Sequence, residues 1–171
     1  MNERELVLLS QSGDKDAFAQ LYTLYKDKLY RYALYRLENQ DDAEDAVSDA
    51  VYSAFYQIGQ LKKPESFSAW IFRILYCSCA EIIKSRAERR KLKDINDMTE
   101  KLSYDMENTV NKTELSQALS ILKPDEREIV LLSVISGLNS KEIGKICDMT
   151  SGSVRSKLSR SLSKMRNFLE G

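Results

Sequence analysis

The stretch with the clearest chemical potential is Ser151 to Phe168, which holds five basic residues and no acid. Val154, Leu158, Leu162, Met165 and Leu169 recur there at three- and four-residue steps, which predicts a helix that buries this stripe. Arg155, Ser156, Ser159 and Arg160 then share the opposite face. A guanidinium can pair two donors with a guanine edge, worth about 1 to 3 kcal/mol of discrimination per good contact. Ser153, Lys157 and Lys164 stand where phosphates would run beside such a helix. A solvated basic face on a structural helix has the same pattern, so the rest of the chain must decide between the two.

Two further groups carry charge or stacking chemistry. From Lys84 to Lys93 six basic residues, among them Lys84, Arg86, Arg89 and Arg90, face the single acid Glu88. Just before them, Trp70, Phe72, Arg73 and Tyr76 interleave aromatics with bases, as proteins that stack unpaired bases do. Trp70, beside Ile71 and Ile74, reads as core packing, which leaves Arg73 and Tyr76 for a nucleic acid. Between Glu38 and Asp49 lie six acids and no base. Asp41, Asp42, Glu44, Asp45 and Asp49 of that cluster suit a solvated helix N-terminus, where negative charge meets the positive end of the helix dipole. A metal-dependent nuclease would use similar carboxylates. With no histidine and no partner acid at a recognisable distance, neither a metal site nor a catalytic residue is expected. The net charge of zero, 26 basic against 26 acidic side chains, conceals this segregation.

The elements that position these groups are helical. Apolar residues make up 43% and charged residues 30% of the 171, with six Gly and two Pro, which favours an all-α protein over disorder or a turn-rich β fold. Phe18, Leu21, Tyr22, Tyr25, Leu29, Tyr32, Ala33 and Leu37 predict a helix from Asp16 to Leu37. A second, capped by Asp41 or Asp42, runs to about Ile58 on Ala43, Val47, Ala50, Val51, Ala54 and Phe55. After a loop containing Pro64, Ser66 or Ser68 caps a third that carries Trp70, Ile71, Ile74, Leu75, Ser78, Ile82 and Ile83. From Asp94 to about Asn111 the composition turns polar and acidic, which reads as a flexible linker with a boundary near Asn108. Beyond it Leu115, Ala118, Leu119 and Leu122 form one helix, Pro124 opens another, and Gly137 stops it. Asn139 or Ser140 caps a short helix, and Ser151 or Ser153 caps the last, so the chain ends in a helix-turn-helix.

Cys77, Cys79 and Cys147 lack CxxC spacing and read as buried or half-buried thiols of a reduced cytosolic protein. No signal peptide is expected from the charged start, Met1 to Glu5. The longest uncharged run, Ile129 to Ser140, falls well short of the roughly 20 residues of a spanning helix, so no membrane insertion is expected.

Three stretches of the second half resemble region 4 of the extracytoplasmic-function sigma factors of bacteria: LKPDERE (Leu122 to Glu128), GLNSKEIGKI (Gly137 to Ile146) and SGSVRSKLSRSL (Ser151 to Leu162). The family pattern is roughly LPxxxRE, GLSxxEIA and SxGTVxSRLxRA. Glu142, Ile143, Gly152, Val154, Ser156, Leu158 and Arg160 fit it, whereas Lys123, Asn139, Gly144 and Ser153 are variants. In the first half DDAEDAVSDAVYSAF (Asp41 to Phe55) and FSAWIFRILYCSCAEIIKSRAERR (Phe67 to Arg90) are similar to the family's region 2.

That resemblance implies a fold of two small helical domains, a region 2 bundle at 1–92 and a region 4 helix-turn-helix at 112–171, joined by a linker at 93–111. It implies an alternative sigma factor, without cofactor or enzymatic activity. Such a factor binds core RNA polymerase, recognises promoter DNA and serves a stress or envelope regulon under a usually membrane-anchored anti-sigma factor. The terminal helix would bind the minus-35 element, and Asp41, Asp42, Glu44, Asp45 and Asp49 would dock on the polymerase. Lys62 and Lys63 resemble the loop that captures a flipped minus-10 base. Arg73, Tyr76, Lys84, Arg86, Arg89 and Arg90 would meet DNA near minus 10. Cys77 and Glu81 stand where the family commonly has Asn and Asp, and Ser48 replaces a usual Gln. A thiol lacks the strong donor and acceptor of an amide, so minus-10 recognition is expected either to be altered at Cys77 or to be shared with other residues. Two rival classes remain open: a duplex-binding regulator that never joins polymerase, and a nucleic-acid enzyme using the acidic cluster.

Overall fold

The computed structural model describes residues 1–96, with the side chains of 1–93, and residues 113–171 in full. The described residues form eight α-helices and two short 3₁₀ turns in two modules. The first module opens with α1 (Glu3–Gln11), started by a reciprocal cap between Asn2 and Glu5. This helix escaped the periodicity reading because its apolar face is short, with only Leu6 and Val7 buried in the core. Gln11 ties it to the rest of the module, donating to the Leu61 carbonyl at 2.7 Å and the Ile58 carbonyl at 3.0 Å.

Asp14 caps α2 (Lys15–Leu37), which ends at Glu38 in the left-handed region, φ 55°. That turn leaves Asn39 extended, so Asn39 and not Asp41 or Asp42 caps α3 (Gln40–Gln57), its Oδ1 accepting from the Asp42 N–H at 2.9 Å. The two aspartates instead lie in the first turn, where the helix dipole favours them. Ala43, Ala46, Ala50 and Ala54 line the buried side of α3. Such small residues let it approach α2 and α4 (Phe67–Asn96) closely.

Of the residues expected inside α4, Ile71 and Leu75 are fully buried, Trp70, Ile74 and Ile82 are half-buried against the core, Ser78 is half-buried and Ile83 is exposed. The fully buried stripe is Phe67, Ile71, Phe72, Leu75 and Cys79. At about 100° per residue these five span roughly 140° of the helix, as befits an element covered by two neighbours. Phe72 is fully buried and meets Tyr25 and Tyr32 edge-on, so it presents no stacking surface. Pro64–Lys93 is long and apolar enough, by length and composition alone, to cross a membrane, contrary to expectation. Of that segment Phe67, Ile71, Phe72, Leu75 and Cys79 are buried in the fold, in a helix packed on α2 and α3, and the rest is half-buried or exposed. Because α4 continues to Asn96, the boundary expected at 92 falls inside a helix. The rest of the expected linker, including Asn108, lies outside the described residues.

In the second module Thr113 caps α5 (Glu114–Ser120), and Pro124 starts α6 (Pro124–Val134). Asn139 and Glu142 cap α7 (Ser140–Cys147) reciprocally. Thr150, rather than Ser151 or Ser153, caps α8 (Ser151–Glu170), its hydroxyl accepting from the Ser153 N–H at 3.2 Å. Ile129, Leu131, Leu132, Ile143, Val154 and Met165 fill the core. On α8 the stripe runs through Val154, half-buried Leu158, Ser161 and Met165, while Leu162 and Leu169 are 37% and 51% exposed. The reason is angular: Ser161 and Met165 lie within about 20° of Val154 around the helix, but Leu162 lies about 80° away. The two modules pack together, α2 against α6 and α4 against α7, which the sequence reading did not anticipate.

Candidate nucleic-acid interface

The helix-turn-helix is built on a close backbone approach. Asp148 takes the left-handed conformation, φ 56°, and the Met149 N–H donates to the Gly144 carbonyl at 2.8 Å. The chain thereby folds back over Gly144 so tightly that a Cβ there would lie 2.5 Å from the Met149 carbonyl oxygen. The reversal and the Thr150 cap set the start of α8 against α7. Arg155, Ser156, Ser159 and Arg160 stand together on its exposed face, as expected, with Ser153 exposed at its N-terminus.

Lys157 and Lys164 are placed differently from expectation. Lys157 is hydrogen-bonded to Asp125, and the Lys164 Nζ lies 2.9 Å from Glu126 Oε2, both acids in the first turn of α6. These ammonium partners hold the carboxyls of Asp125 and Glu126 below the usual range. The two lysines therefore brace α8 on α6 instead of standing free for phosphates.

On the first module a shallow groove of about 550 Å³ runs between α3 and α4. It brings together three expected residues, Asp49, Arg73 and Cys77, with Tyr52, Gln57 and the half-buried Trp70. Tyr52 and Tyr56 were missed; both are 67% exposed, with ring centroids 4.8 Å apart. Their four-residue spacing on the polar side of α3 was the available signal. Lys62 and Lys63 are exposed before the second 3₁₀ turn, and Lys84, Arg89 and Arg90 are exposed along the far end of α4.

Asp41, Glu44, Asp45 and Asp49 face outward from α3. Asp42 does not share their freedom: its Oδ2 accepts from Arg86 Nε at 2.8 Å and from Nη2 as well. Asp42 and Arg86, assigned to polymerase and DNA respectively, thus bind each other between α3 and α4.

Tyr76 is also displaced from its expected role. It is half-buried under the Arg36 guanidinium, 4.5 Å from its ring centroid. Arg36 also donates to the Tyr76 carbonyl at 2.8 Å and lies 2.7 Å, Nε to Oε2, from Glu128 of the second module. The Tyr32 hydroxyl, buried in the first module, donates to the other oxygen of Glu128. Burial raises the carboxyl of Glu128 against the pull of Arg36, and burial with the nearby Glu128 charge raises the Tyr32 phenol. Among the thiols, Cys79 is buried and Cys147 half-buried as expected, but Cys77 is exposed. Among the described residues no cluster of potential metal ligands occurs.

Two family models match the two modules: sigma-70 region 2 over residues 21–89, and sigma-70 region 4 over residues 112–165. The fold and its helix-turn-helix are thus those of a two-region sigma-70-type transcription factor. The ECF RNA polymerase sigma factor SigW of Bacillus subtilis is 31% identical over 172 residues, covering 93% of this chain and 92% of that protein. The ECF sigma factor BldN of Streptomyces coelicolor is 28% identical over 171 residues, covering 96% of this chain and 65% of its own length. The chain belongs to the ECF RNA polymerase sigma factors. In solved structures the fold is shared with the sigma factor RpoE of Bartonella quintana, crystallised with the anti-sigma factor NepR. That match has a TM-score of 0.76 and 23% identity over 92% of this chain and 98% of the other.

Proposed function

We propose that this sigma factor contacts the minus-35 element through Arg155, Ser156, Ser159 and Arg160, with Ser153 at the phosphate backbone. Their shared exposed face on the second helix of a helix-turn-helix is the observation that carries the reading. Near minus 10, Lys62, Lys63, Arg73, Cys77, Lys84, Arg89 and Arg90 form the DNA side of the first module. The outward acids Asp41, Glu44, Asp45 and Asp49 form its polymerase side. The first domain runs to the end of α4 at Asn96 and the second starts near the Thr113 cap of α5, with the linker between them. The factor works in the cytoplasm and has no catalysis of its own: binding energy positions the polymerase and favours the melted promoter. An anti-sigma partner, as in the RpoE–NepR structure, holds it in check.

Run-off transcription tests this with purified chain, core polymerase and the promoter upstream of its own gene. Selective initiation that falls at least tenfold in an Arg155→Ala, Arg160→Ala variant is expected. No initiation above core polymerase alone would sink the reading. Tight duplex binding without core binding would favour a free-standing regulator instead.

A further inference from the structure

We infer that α1 braces the loop that faces the minus-10 DNA, with Gln11 as its positioning residue. This inference rests on the promoter-binding reading above, in which Lys62 and Lys63 stand on the DNA side. Both lysines are exposed, and they lie between two 3₁₀ turns, Ile58–Gln60 and Pro64–Ser66. Within this stretch the Leu61 N–H donates to the Ile58 carbonyl at 3.2 Å, and the Ser66 N–H to the Lys63 carbonyl at 2.9 Å. Gln11 is half-buried at the C-terminal end of α1. A side-chain amide nitrogen has two N–H donors, and Gln11 Nε2 reaches both the Leu61 carbonyl at 2.7 Å and the Ile58 carbonyl at 3.0 Å.

The Leu61 side chain is buried, so residue 61 is held by its carbonyl and its side chain together, and the backbone leaves for Lys62 in a set direction. A second tie between α1 and this region, Arg4 to Glu65 at 2.9 Å, is 61% and 62% exposed, and water screens it. Gln11 is therefore the stronger of the two. A loop ordered before DNA arrives loses less conformational entropy on gripping an unpaired base than one that must be ordered in the complex. Gln11 makes no contact with DNA in this reading. It acts through the loop, from a position 50 residues before the carbonyl it holds at Leu61.

The test compares the full chain with Gln11→Met, near-isosteric but without donors, and Gln11→Glu, which turns a carboxylate on the two carbonyls. Arg4→Ala, a Lys62→Ala, Lys63→Ala variant, and Gln11→Met in that lysine background complete the set. Tryptic cleavage between Lys62 and Lys63, followed by mass spectrometry, reads the loop. Run-off transcription reads its use, from a duplex template and from one pre-opened by mismatches at minus 10. In both Gln11 variants cleavage should be about fivefold faster and initiation from the duplex about fivefold weaker, the weight of one net hydrogen bond, with helicity by circular dichroism unchanged. The pre-opened template should recover most of that loss. Arg4→Ala should stay within about twofold of wild type, and Gln11→Met should add nothing in the lysine background. Unchanged cleavage, equal loss on both templates, an undiminished further loss in the lysine background, or lost helicity in both Gln11 variants overturns the brace. Initiation by the lysine variant at the wild-type level defeats the minus-10 reading of the loop and takes the brace with it. Wild-type initiation by the Gln11 variants beside an impaired lysine variant defeats the brace alone.

Discussion

Replacing Gly144 with alanine tests the geometry of the helix-turn-helix directly. The family pattern has alanine at this position, and alanine favours helix over glycine by about 1 kcal/mol, so sequence reasoning alone predicts stabilisation. The structure predicts the opposite. A Cβ would stand 2.5 Å from the Met149 carbonyl oxygen, whereas a carbon–oxygen contact is comfortable at about 3.3 Å. The missing 0.8 Å, roughly, must come from backbone movement, because the obstructing atom is a carbonyl and not the end of a flexible side chain. Overpacking of this kind costs about 1 to 3 kcal/mol, leaving a net loss of up to about 2 kcal/mol after the propensity gain. At about 4 to 8 °C per kcal/mol for a domain of this size, region 4 should melt up to roughly 15 °C lower. The displaced turn also carries Thr150, the cap of α8, so the reading face should shift with it. Calorimetry on the full chain, with run-off transcription from templates carrying an intact or scrambled minus-35 element, should show a lower melting step and a selective loss on the intact template. A variant that melts at or above the wild-type temperature would refute the close-approach argument.

Three shorter predictions follow. The Ser161 hydroxyl is fully buried without a hydrogen-bond partner, so Ser161→Ala should stabilise region 4 by about 1 kcal/mol, read as a rise in its melting temperature. Glu38 sits exposed in the left-handed region at the end of α2, so Glu38→Gly should raise the stability of region 2 by up to about 1 kcal/mol in urea unfolding. Burial pushes the Cys79 thiol up to about 12 and the Cys147 thiol up to about 11, so at pH 8 only about a thousandth of Cys147 is thiolate. Exposed Cys77 should therefore be the one fast-reacting thiol towards a disulfide reagent, and three equally fast thiols in the folded chain would contradict the burial.

The helices with long one-sided apolar runs were legible from sequence. Leu21, Tyr25, Leu29, Tyr32, Ala33 and Leu37 are buried as their spacing requires, and the face of α8 with Arg155, Ser156, Ser159 and Arg160 is exposed as the complement of its own stripe. Where a helix has two neighbours, periodicity misleads. In α4 the core face is wide, and Phe72, which the sequence pattern left unassigned among the interleaved aromatics and bases, lies inside it. Charge partners were the least legible feature. Asp42 and Arg86 are 44 residues apart, Lys157 and Asp125 32 apart, and nothing local distinguishes a charge with a partner across the fold from one facing solvent. Glu128 is the extreme case. In its LKPDERE context it reads as an ordinary helical acid, yet its surroundings come from a module that begins the chain, 96 residues before it at Tyr32.

Burial sorts these internal pairs into two physical kinds. Lys157 and Asp125 remain 34% and 50% exposed, so their attraction is largely screened by water and contributes at most about 1 kcal/mol. A phosphate brought to the same surface would compete on nearly equal terms, since Lys157 could exchange one anion for the other while both groups stay in water. Arg36 and Glu128 are 12% and 10% exposed, and no outside anion reaches them while the modules touch. Their exchange of partners requires separation, and separation exposes both groups. Added salt should therefore loosen the lysine pairs at ordinary ionic strength while leaving the module contact closed, because screening over about 10 Å acts on exposed charges and much less on a buried pair. A chain with no net charge thus holds its bases in check by two means, one open to competition from DNA and the other released only by a large-scale movement.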